Sequence, residues 1–387
     1  MLRMAVGHSD DIDADLAARI IVDQCLESLG GVAPKAGLLF SAWETDHGAV
    51  LGRLREALPG IELIGSTSAA QMSSEMGFQE DSVTLALFAS DDVDITGGLA
   101  TDLWDDVPAA AHAAIEQARA KSGQEPKLCI TTPSAGGDMR ALLDALRDEL
   151  GPDVPVIGGG AAPRSNRHPT RESWQFYGDR SVSDALPVLL FSGPLTYSFG
   201  TDAGWRPIGP KGRVTRAEGS AVQEIDGKPA LSFYERYLGE GFEPAFATPL
   251  AVFAEGSERF YLRAPVHHDP ETGTVTVSGD VQQGTEVQLT TAATEEIFDG
   301  ARSALTQAID QFPDGHEPEA ALIFSCAIRK YLLGTRTGTE YDILQEMLGG
   351  GMPVCGFYSF GEIAPLDEGG ETRYHNETMV ALLLGSS

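Results

Sequence analysis

Residues 352–363 read Met352-Pro-Val-Cys-Gly-Phe-Tyr-Ser-Phe-Gly-Glu-Ile363, and this stretch decides how the rest of the chain is interpreted. A short apolar run of β type leads into Gly356, and polar and aromatic side chains follow it. In α/β folds, ligands bind just beyond the carboxyl ends of the strands. The stretch therefore predicts a buried strand that ends at Gly356, with Tyr358 and Glu362 facing a crevice.

The same pattern occurs twice earlier in the chain. Ile61-Glu-Leu-Ile-Gly65 is followed by Ser66 and Thr67, and Val154-Pro-Val-Ile-Gly158 is followed by two more glycines. Each stretch lies between other apolar, strand-like runs. A pattern that returns at intervals predicts a repeated structural unit. We therefore predict an α/β fold with mixed sheets, built from three copies of a β-α-β unit.

Helical periodicity flanks the strands of each copy. In the third copy, Phe298, Ala301, Leu305 and Ile309 recur at steps of three and four residues, which is typical of a helix with one buried face. Thr294 precedes them and is the predicted N-cap. Similar periodicity occurs in the first two copies, so each predicted sheet has helices to cover it.

A segment of different character lies before the last copy, from about Phe199 to Gln283. It contains short β-like runs separated by turn residues, such as Val222-Gln-Glu-Ile225 before Asp226-Gly227. We interpret it as a β-rich insert. The predicted domains are accordingly residues 1–200, with two repeat copies, and residues 201–387, with the insert and the third copy.

The composition excludes several classes of function. The chain has 387 residues, 42% of them hydrophobic, and its 27 basic and 57 acidic side chains give a net charge of -30. Such a charge repels nucleic acid and anionic lipid. The chain has neither a run of about eighteen apolar residues nor a signal peptide, so we expect a soluble, cytoplasmic protein. The acidity is typical of a solvated surface, with a basic partner as the alternative.

Known catalytic patterns are mostly missing from the sequence. The four cysteines are widely spaced, which favours neither a zinc site nor disulfides. Ser66 lies in Gly-Ser-Thr-Ser-Ala, which lacks the second glycine of a nucleophile elbow. We therefore expect no enzymatic activity. The alternative is a thiol-dependent enzyme that acts on a small metabolite and uses Cys326, which otherwise serves as a core residue.

The residues near the third copy predict a binding site. Arg329 can offer a fork of donors to a carboxylate, and Glu362 can accept an amine or hold that arginine in an internal ion pair. Asn376 and Thr378 supply neutral hydrogen bonds, although Asn376 can instead bond to backbone. Tyr358 supplies a flat apolar surface. This combination suits a small polar ligand with one charged end.

Several ordered segments resemble those of the FIST family. The segments are Leu322-Ile-Phe-Ser-Cys-Ala-Ile-Arg329, Gly356-Phe-Tyr-Ser-Phe-Gly-Glu-Ile363, His375-Asn-Glu-Thr378, Leu63-Ile-Gly-Ser-Thr-Ser68, Val156-Ile-Gly-Gly-Gly160 and Trp205-Arg-Pro-Ile-Gly209. The resemblance covers nearly the whole chain. It implies a bacterial sensory module that binds a small ligand of amino-acid type. Ser66, Thr67 and Cys326 join the predicted ligand-binding residues.

The resemblance also implies partners and a cofactor. FIST modules work with signalling enzymes such as histidine kinases or cyclic-dinucleotide enzymes, and we expect a separate partner of this kind. Some stand-alone relatives are haemoproteins that sense nitric oxide. Haem iron needs a ligand such as a neutral histidine. Of the eight histidines, His375 adjoins a signature strand and is the predicted haem ligand, with a structural hydrogen-bonding role as the alternative.

Overall fold

A computed structural model of the chain describes residues 1–164, 172–253, 256 and 258–386. Up to residue 202 the elements are, in order, β1 (Leu2–Ser9), α1 (Ala14–Leu29), β2 (Ala36–Ser41), α2 (His47–Ala57), β3 (Glu62–Thr67), β4 (Gln71–Ser73), β5 (Gly77–Gln79), β6 (Val83–Ser90), β7 (Asp94–Thr101), α3 (Val107–Arg119), β8 (Pro126–Thr131), α4 (Met139–Leu150), β9 (Val156–Gly159), β10 (Gln175–Tyr177), β11 (Arg180–Val182), β12 (Ala185–Ser192) and β13 (Leu195–Asp202).

The remaining elements form the β-rich module and the third sheet. They are β14 (Arg206–Glu218), β15 (Ala221–Ile225), β16 (Lys228–Pro229), α5 (Ala230–Leu238), β17 (Leu250–Phe253), β18 (Phe260–Arg263), β19 (Pro265–His268), β20 (Val275–Val277), β21 (Glu286–Thr291), α6 (Thr294–Asp310), β22 (Ala320–Cys326), α7 (Ala327–Leu333), a 3-10 turn (Gly334–Arg336), α8 (Gly338–Leu348), β23 (Val354–Ser359), β24 (Glu362–Pro365), β25 (Thr372–His375) and β26 (Met379–Ser386).

Three six-stranded sheets with corresponding strand orders form the body of the protein. Their orders are β1-β6-β2-β3-β10-β11, then β7-β12-β8-β9-β24-β25, and then β13-β26-β22-β23-β4-β5. Each sheet has one parallel pair, namely β2 with β3, β8 with β9, and β22 with β23. The predicted α/β fold with mixed sheets is confirmed. The interpretation of the three stretches as copies of one unit stays a prediction.

At one edge of each sheet, the last two strands come from a different part of the chain. Strand β4 pairs with β23, β10 pairs with β3, and β24 pairs with β9. In each sheet, the hairpin at that edge therefore comes from the stretch of chain that forms most of another sheet. Two of these exchanges cross the predicted domain boundary at residue 200, and β13 runs across it to pair with β26. The boundary itself stays a prediction.

One apolar core lies between the three sheets. Aromatic side chains from all three sheets meet there, including Phe40, Phe191, Phe324 and Phe357. The rings of Phe40 and Phe357 stack with centroids 4.2 Å apart. The outer faces are covered by α1 and α2, by α3 and α4, and by α6 and α8. Among the described helices, none is both long and apolar enough to span a membrane.

Gly65, Gly158 and Gly356 do not end their strands, contrary to the prediction. They lie within β3, β9 and β23, and each of those strands continues for at least one more residue. A Cβ atom added at any of them would collide with the backbone carbonyl of the neighbouring parallel strand. These positions therefore require glycine because two strands approach closely, and not because the chain turns.

The β-rich module is an eight-stranded antiparallel sheet with one helix. Seven strands follow the order β18-β17-β21-β14-β15-β20-β19, and β16 pairs with β15. Its own core includes Val214, Tyr234 on α5, and Leu250. The module begins at Arg206, later than the predicted start near Phe199, because β13 belongs to the third sheet instead. It ends at Thr291, eight residues beyond the predicted end.

Candidate functional site

The chain segments just beyond β3, β9 and β23 meet and bond to one another. The backbone bonds run from Ala162 N to Thr67 O (2.8 Å), from Gly160 N to Gly361 O (2.9 Å) and from Tyr358 N to Ala70 O (2.9 Å). The three predicted strand ends therefore converge, one from each sheet. The residues that follow them form a buried polar region at one end of the central core.

Ser66 and Thr67 both lie in this convergence region. Thr67 donates its hydroxyl to the carbonyl of Ala162 at 2.7 Å, which helps to fix two of the segments together. The Ser66 hydroxyl is buried and has no hydrogen-bond partner among the described residues. The same holds for the buried hydroxyls of Thr132 and Ser134, which the sequence interpretation did not single out. Ligand binding by Ser66 and Thr67 stays a prediction.

Arg329 is fully buried, and all five of its N–H groups are engaged. Nε and Nη2 donate to the carboxylate of Glu340 at 3.0 and 2.6 Å. The other bonds go to the carbonyl oxygens of Ala203, Glu377 and Ile297, at 2.6, 3.3 and 2.8 Å. No N–H is left for a ligand carboxylate, so the predicted anchoring role is revised. Arg329 instead clamps the loop that carries Glu377.

The partner of Arg329 is Glu340 on α8, and not Glu362 as the alternative prediction had it. Glu340 also accepts a hydrogen bond from the Tyr358 hydroxyl at 2.8 Å. Tyr358 is therefore committed to this buried network and packs edge-on against Phe78. Burial, with the Glu340 charge next, holds the pKa of Tyr358 well above its usual value. The spacing of Glu340 to the buried Ile343 and Leu344 placed it on the inner face of the helix, a signal that was available in the sequence.

Glu362 is a second buried carboxylate, and both of its oxygens accept hydrogen bonds. Ser359 donates its hydroxyl to one oxygen at 2.8 Å, and the backbone N–H of Thr378 donates to the other at 3.1 Å. Burial outweighs these bonds and raises the pKa of Glu362 to about 8. The nearby thiol of Cys326 is also buried, and its pKa is raised well above the usual value. A protonated thiol is a poor nucleophile, so this environment does not favour the thiol-dependent enzyme.

The raised pKa of Glu362 predicts how stability depends on pH. Between about pH 4.5 and 8 the unfolded chain loses this proton while the folded chain keeps it, so the contribution of Glu362 to stability falls as pH rises. We expect Glu362→Gln to remove this loss, which is on the order of a few kcal/mol. Urea unfolding of both proteins at pH 6.5 and 8 measures it. A difference between the two proteins that stays constant over that range would contradict the assignment.

Glu377 is the least satisfied charged group of the region. It is fully buried, and neither carboxylate oxygen has a hydrogen-bond partner among the described residues. Its φ of 57° lies in the left-handed region, which is uncommon for a residue other than glycine. Burial, with the Glu362 charge next, raises its pKa well above the usual value, although Arg329 acts in the opposite direction. The sequence alone did not identify Glu377 as a functional residue.

The residues on either side of Glu377, Asn376 and Thr378, already form some hydrogen bonds within the protein. Thr378 donates its hydroxyl to the carbonyl of Asn376 at 2.9 Å, which stabilises the loop. The Asn376 amide donates to the Ser278 hydroxyl of the β-rich module at 3.2 Å. Its side-chain oxygen is buried and has no partner within the described part of the chain. The residue before Glu377 in the sequence therefore has one buried acceptor without a partner.

The β-rich module and the linker before it bring donors to the same region. The hydroxyl of Tyr234 on α5 and the indole N–H of Trp205 are buried and have no partner among the described residues. Burial raises the pKa of Tyr234, and the Glu377 charge adds to the rise, which places the two side chains near each other. Trp205, Thr378 and His375 line a cavity of about 300 Å³. Trp205 therefore brings an unpaired donor to the cavity, and Thr378 brings to its wall the loop that carries Glu377.

His375 lies at the edge of this cavity. Burial lowers the pKa of His375 to about 4, so the ring is neutral at physiological pH, as a haem ligand must be. However, Nε2 donates to the carbonyl of Ala364 at 2.8 Å, and charged Asp202 and Glu258 share the lining of the cavity. These observations favour the structural role, and the haem prediction stays a prediction. Another histidine, His168, lies outside the described residues.

A larger cleft of about 560 Å³ lies between the second and third sheets. Lys127, Arg147, Tyr197, His316 and Glu368 are among its lining residues. The predicted site residues do not line it, and none of its described lining side chains is a buried polar group without a partner. Nor do the described residues hold a group of three or more histidine, cysteine or acidic side chains that could bind a metal ion. The cavity lined by Trp205, His375 and Thr378 is therefore the better candidate.

Family models for the two FIST domains match this chain. The FIST N domain matches residues 35–228, and the FIST C domain matches residues 230–365. An uncharacterized Mycobacterium bovis protein is 26% identical over 381 residues, which cover 94% of this chain and 95% of that protein. A Methanocaldococcus jannaschii protein is 37% identical over 97 residues, which cover 25% of this chain and 17% of that protein.

Solved structures give only a weak likeness. Cyanuric acid hydrolase from A. caulinodans aligns over 100% of this chain and 99% of its own, with 10% identity and a TM-score of 0.39, which is too low to support an inference. The family match is much stronger evidence than this structural likeness, because its two domains cover most of the chain. FIST domains are generally sensory domains that bind small ligands in signalling proteins. This chain belongs to the FIST family and carries both its N and its C domain.

Proposed function

We propose that this protein is a sensor that binds a small organic ligand of amino-acid type beside Glu377 and reports it to a separate signalling enzyme, such as a histidine kinase or a cyclic-dinucleotide enzyme. The observation that carries the proposal is the buried Glu377 carboxylate, which lacks a hydrogen-bond partner among the described residues. The family supports a sensory, ligand-binding role in general. The ligand class, the site and the partner are our proposal.

The energetics of burial explain why such a group indicates a binding site. A buried polar group without a hydrogen bond costs free energy, and a buried charge costs considerably more. A ligand that donates to Glu377 and Asn376 removes this cost when it binds. The free donors of Trp205 and Tyr234 suit an acceptor at the other end of the ligand.

The position of the loop suggests how binding is transmitted. Arg329 ties the carbonyl of Glu377 to those of Ala203, at the start of the linker to the β-rich module, and Ile297 on α6. A ligand in the cavity lined by Thr378 and Phe260 contacts both the loop that carries Glu377 and the module. If it binds one arrangement of the two more tightly, it shifts the population toward that arrangement. The partner enzyme would respond to that shift.

A thermal-shift screen against amino acids and their derivatives tests the proposal. We expect at least one compound to raise the melting temperature by a few degrees at saturating concentration, since binding to the folded state stabilises it. Glu377→Gln should abolish the shift. The control is Glu243→Gln, which makes the same charge change at an exposed position of the β-rich module.

Two outcomes would contradict the proposed function. A library that leaves the melting temperature unchanged would remove the ligand, and a shift that persists in the Glu377→Gln protein would move the site elsewhere. Haem is the alternative ligand, and its uptake can be tested separately. A Soret band that is lost in His375→Ala would replace the organic ligand with haem.

A further inference from the structure

We propose that the edge of the third sheet, strand β13, is a docking site for an extended, basic peptide segment of another protein, which pairs with the strand inside the cleft between the second and third sheets. The site lies outside the cavity of the proposed function and does not depend on it. The cleft of about 560 Å³ is lined by five consecutive residues of the strand, Leu195 to Phe199. The backbone of the strand, and not a cluster of side chains, is the feature that the peptide recognises.

The backbone groups of Tyr197 and Phe199 point away from the sheet. In an antiparallel pair, successive residues of a strand bond alternately to its two sides. On β26, Leu384 uses its carbonyl on the far side, where it accepts from the N–H of Glu319 at 2.7 Å. Tyr197 lies opposite Leu384, so its own N–H and carbonyl face outward, as do those of Phe199 two residues later. Neither residue has a partner for these groups within the described part of the chain.

The corresponding edge of the second sheet, β7, is closed at this position. Strands β7 and β13 occupy the same place in the orders of their sheets. Gly98 and Gly200 are equivalent, because an added Cβ at either would collide with a carbonyl of the covering helix. Gly97 therefore corresponds to Phe199. Its N–H donates to the carboxylate of Glu62 at 3.1 Å, and its carbonyl accepts from side-chain donors. Phe199 has no such partners, so β13 is the open edge.

The sequence of β13 lacks the features that usually protect an open edge. Proteins prevent unwanted pairing at edge strands with prolines, charged side chains or bulges. Residues 195–202 read Leu-Thr-Tyr-Ser-Phe-Gly-Thr-Asp, with a charge only at the last position, and their register with β26 has no shift. The edge instead lies in a recess whose other walls include residues 151–156 and 368–372. Because these segments lie beside the strand, the recess admits a single extended segment but not the edge of a second folded sheet.

The charges in the cleft favour a basic segment. Asp153 and Glu368 are exposed lining residues that form no ion pair with any described residue. Glu368 lies near the open part of the strand, since its charge adds to the effect of burial in raising the pKa of Tyr197. Lys127 is the opposing charge, and it lies at the end of the strand, 3.5 Å from the carbonyl of Leu195. The other charged lining residues form ion pairs. The net charge of -30 adds a long-range attraction for basic segments.

Amide hydrogen exchange of the full chain, followed residue by residue by NMR, tests the open edge. We expect the N–H groups of Tyr197 and Phe199 to exchange roughly a hundredfold faster than those of Thr196 and Ser198, which face β26. Equally slow exchange at all four residues would mean that the edge is already closed, and it would overturn the docking site.

The probes for binding are eight-residue peptides selected against the full chain from a random library displayed on phage. We expect the selected peptides to alternate apolar and basic residues, and to slow exchange at Tyr197 and Phe199 when they bind. A strand pairs through one of its edges, so N-methylation of one alternate set of peptide residues should weaken binding by about tenfold or more. N-methylation of the other set should have little effect.

Variants complete the test. Tyr197→Pro removes one outward N–H and leaves the bonds to β26 in place, so it should abolish peptide binding. Glu368→Lys, at an exposed position, should weaken binding of the basic peptides about tenfold even if the proline variant does not fold. Glu243→Lys makes the same change at an exposed position of the β-rich module and should bind like the wild type.

Three outcomes of the peptide experiments would overturn the docking site. They are a library that yields no peptide, selected peptides that leave exchange at β13 unchanged, and equal binding by the wild type and Glu368→Lys. None of them affects the proposed sensor, which is tested separately by the thermal shift with small ligands.

Discussion

Replacing Glu340 with alanine is expected to lower the free energy of unfolding by about 3–5 kcal/mol, because it leaves the buried guanidinium of Arg329 without its counter-ion. Both side chains of the pair have no solvent exposure. The same substitution deprives the buried Tyr358 hydroxyl of its acceptor. Urea unfolding followed by circular dichroism measures the change, and the loss should appear as a lower midpoint.

The matched control is Glu346→Ala, which removes a carboxylate from an exposed position of the same helix. It should leave the unfolding midpoint close to that of the wild type. A double variant, Arg329→Met with Glu340→Leu, should cost less than the sum of its single substitutions, because no lone charge is left buried. Equal midpoints for Glu340→Ala and Glu346→Ala would mean that water reaches Arg329.

Periodicity within the sequence was a good guide to local structure. In α6, the predicted inward residues Phe298, Ala301 and Leu305 are buried, as a helix packed on a sheet requires. Ile309 is 40% exposed and lies in the last turn of the helix. Thr294 is the first helical residue and not the N-cap, which is Ala293. Hydrophobic spacing reports which face is buried, but the side chain at a helix end depends on local bonds that spacing does not encode.

The exchange of edge hairpins could not be predicted from the sequence. Strand β4 has three residues, and its Met72 pairs with Gly356, which lies near the other end of the sequence. So short a strand shows no alternation of polar and apolar residues that would identify its partner. Pairing between strands so far apart in sequence depends on how the three sheets pack. The convergence of the three strand ends was nevertheless implied by the shared pattern of Gly65, Gly158 and Gly356.

Several residues of the buried polar region were named from the sequence, but their hydrogen-bond partners were not. Arg329 and Glu362 both lie in the buried region, yet Arg329 pairs with Glu340 and Glu362 takes neutral donors. Three buried carboxylates lie near one guanidinium, and only coordinates show which of them it contacts. Glu377 was missed because its unpaired state depends on burial by the β-rich module, which is distant in sequence.

Replacing Gly158 with alanine is expected to destabilise the fold by about 3 kcal/mol or more, or to prevent folding altogether. The added Cβ would collide with the backbone carbonyl of Thr131 on the neighbouring strand. Strand β9 lies inside its sheet, between β8 and β24, so it has no free side toward which to move. The clash is with backbone, and a backbone held in a sheet cannot rotate away as a flexible side chain can.

Gly52→Ala provides the opposite case in the same protein. Gly52 lies within α2, and an added Cβ would meet no atom within 4 Å. Alanine there should stabilise the protein by about 0.5–1 kcal/mol, because it restricts the unfolded chain and favours the helix. Thermal unfolding of the two variants should therefore show shifts of opposite sign. A Gly158→Ala protein as stable as the wild type would mean that β8 and β9 can separate, and the segments that β9 positions around the site would then not be fixed by this strand pair.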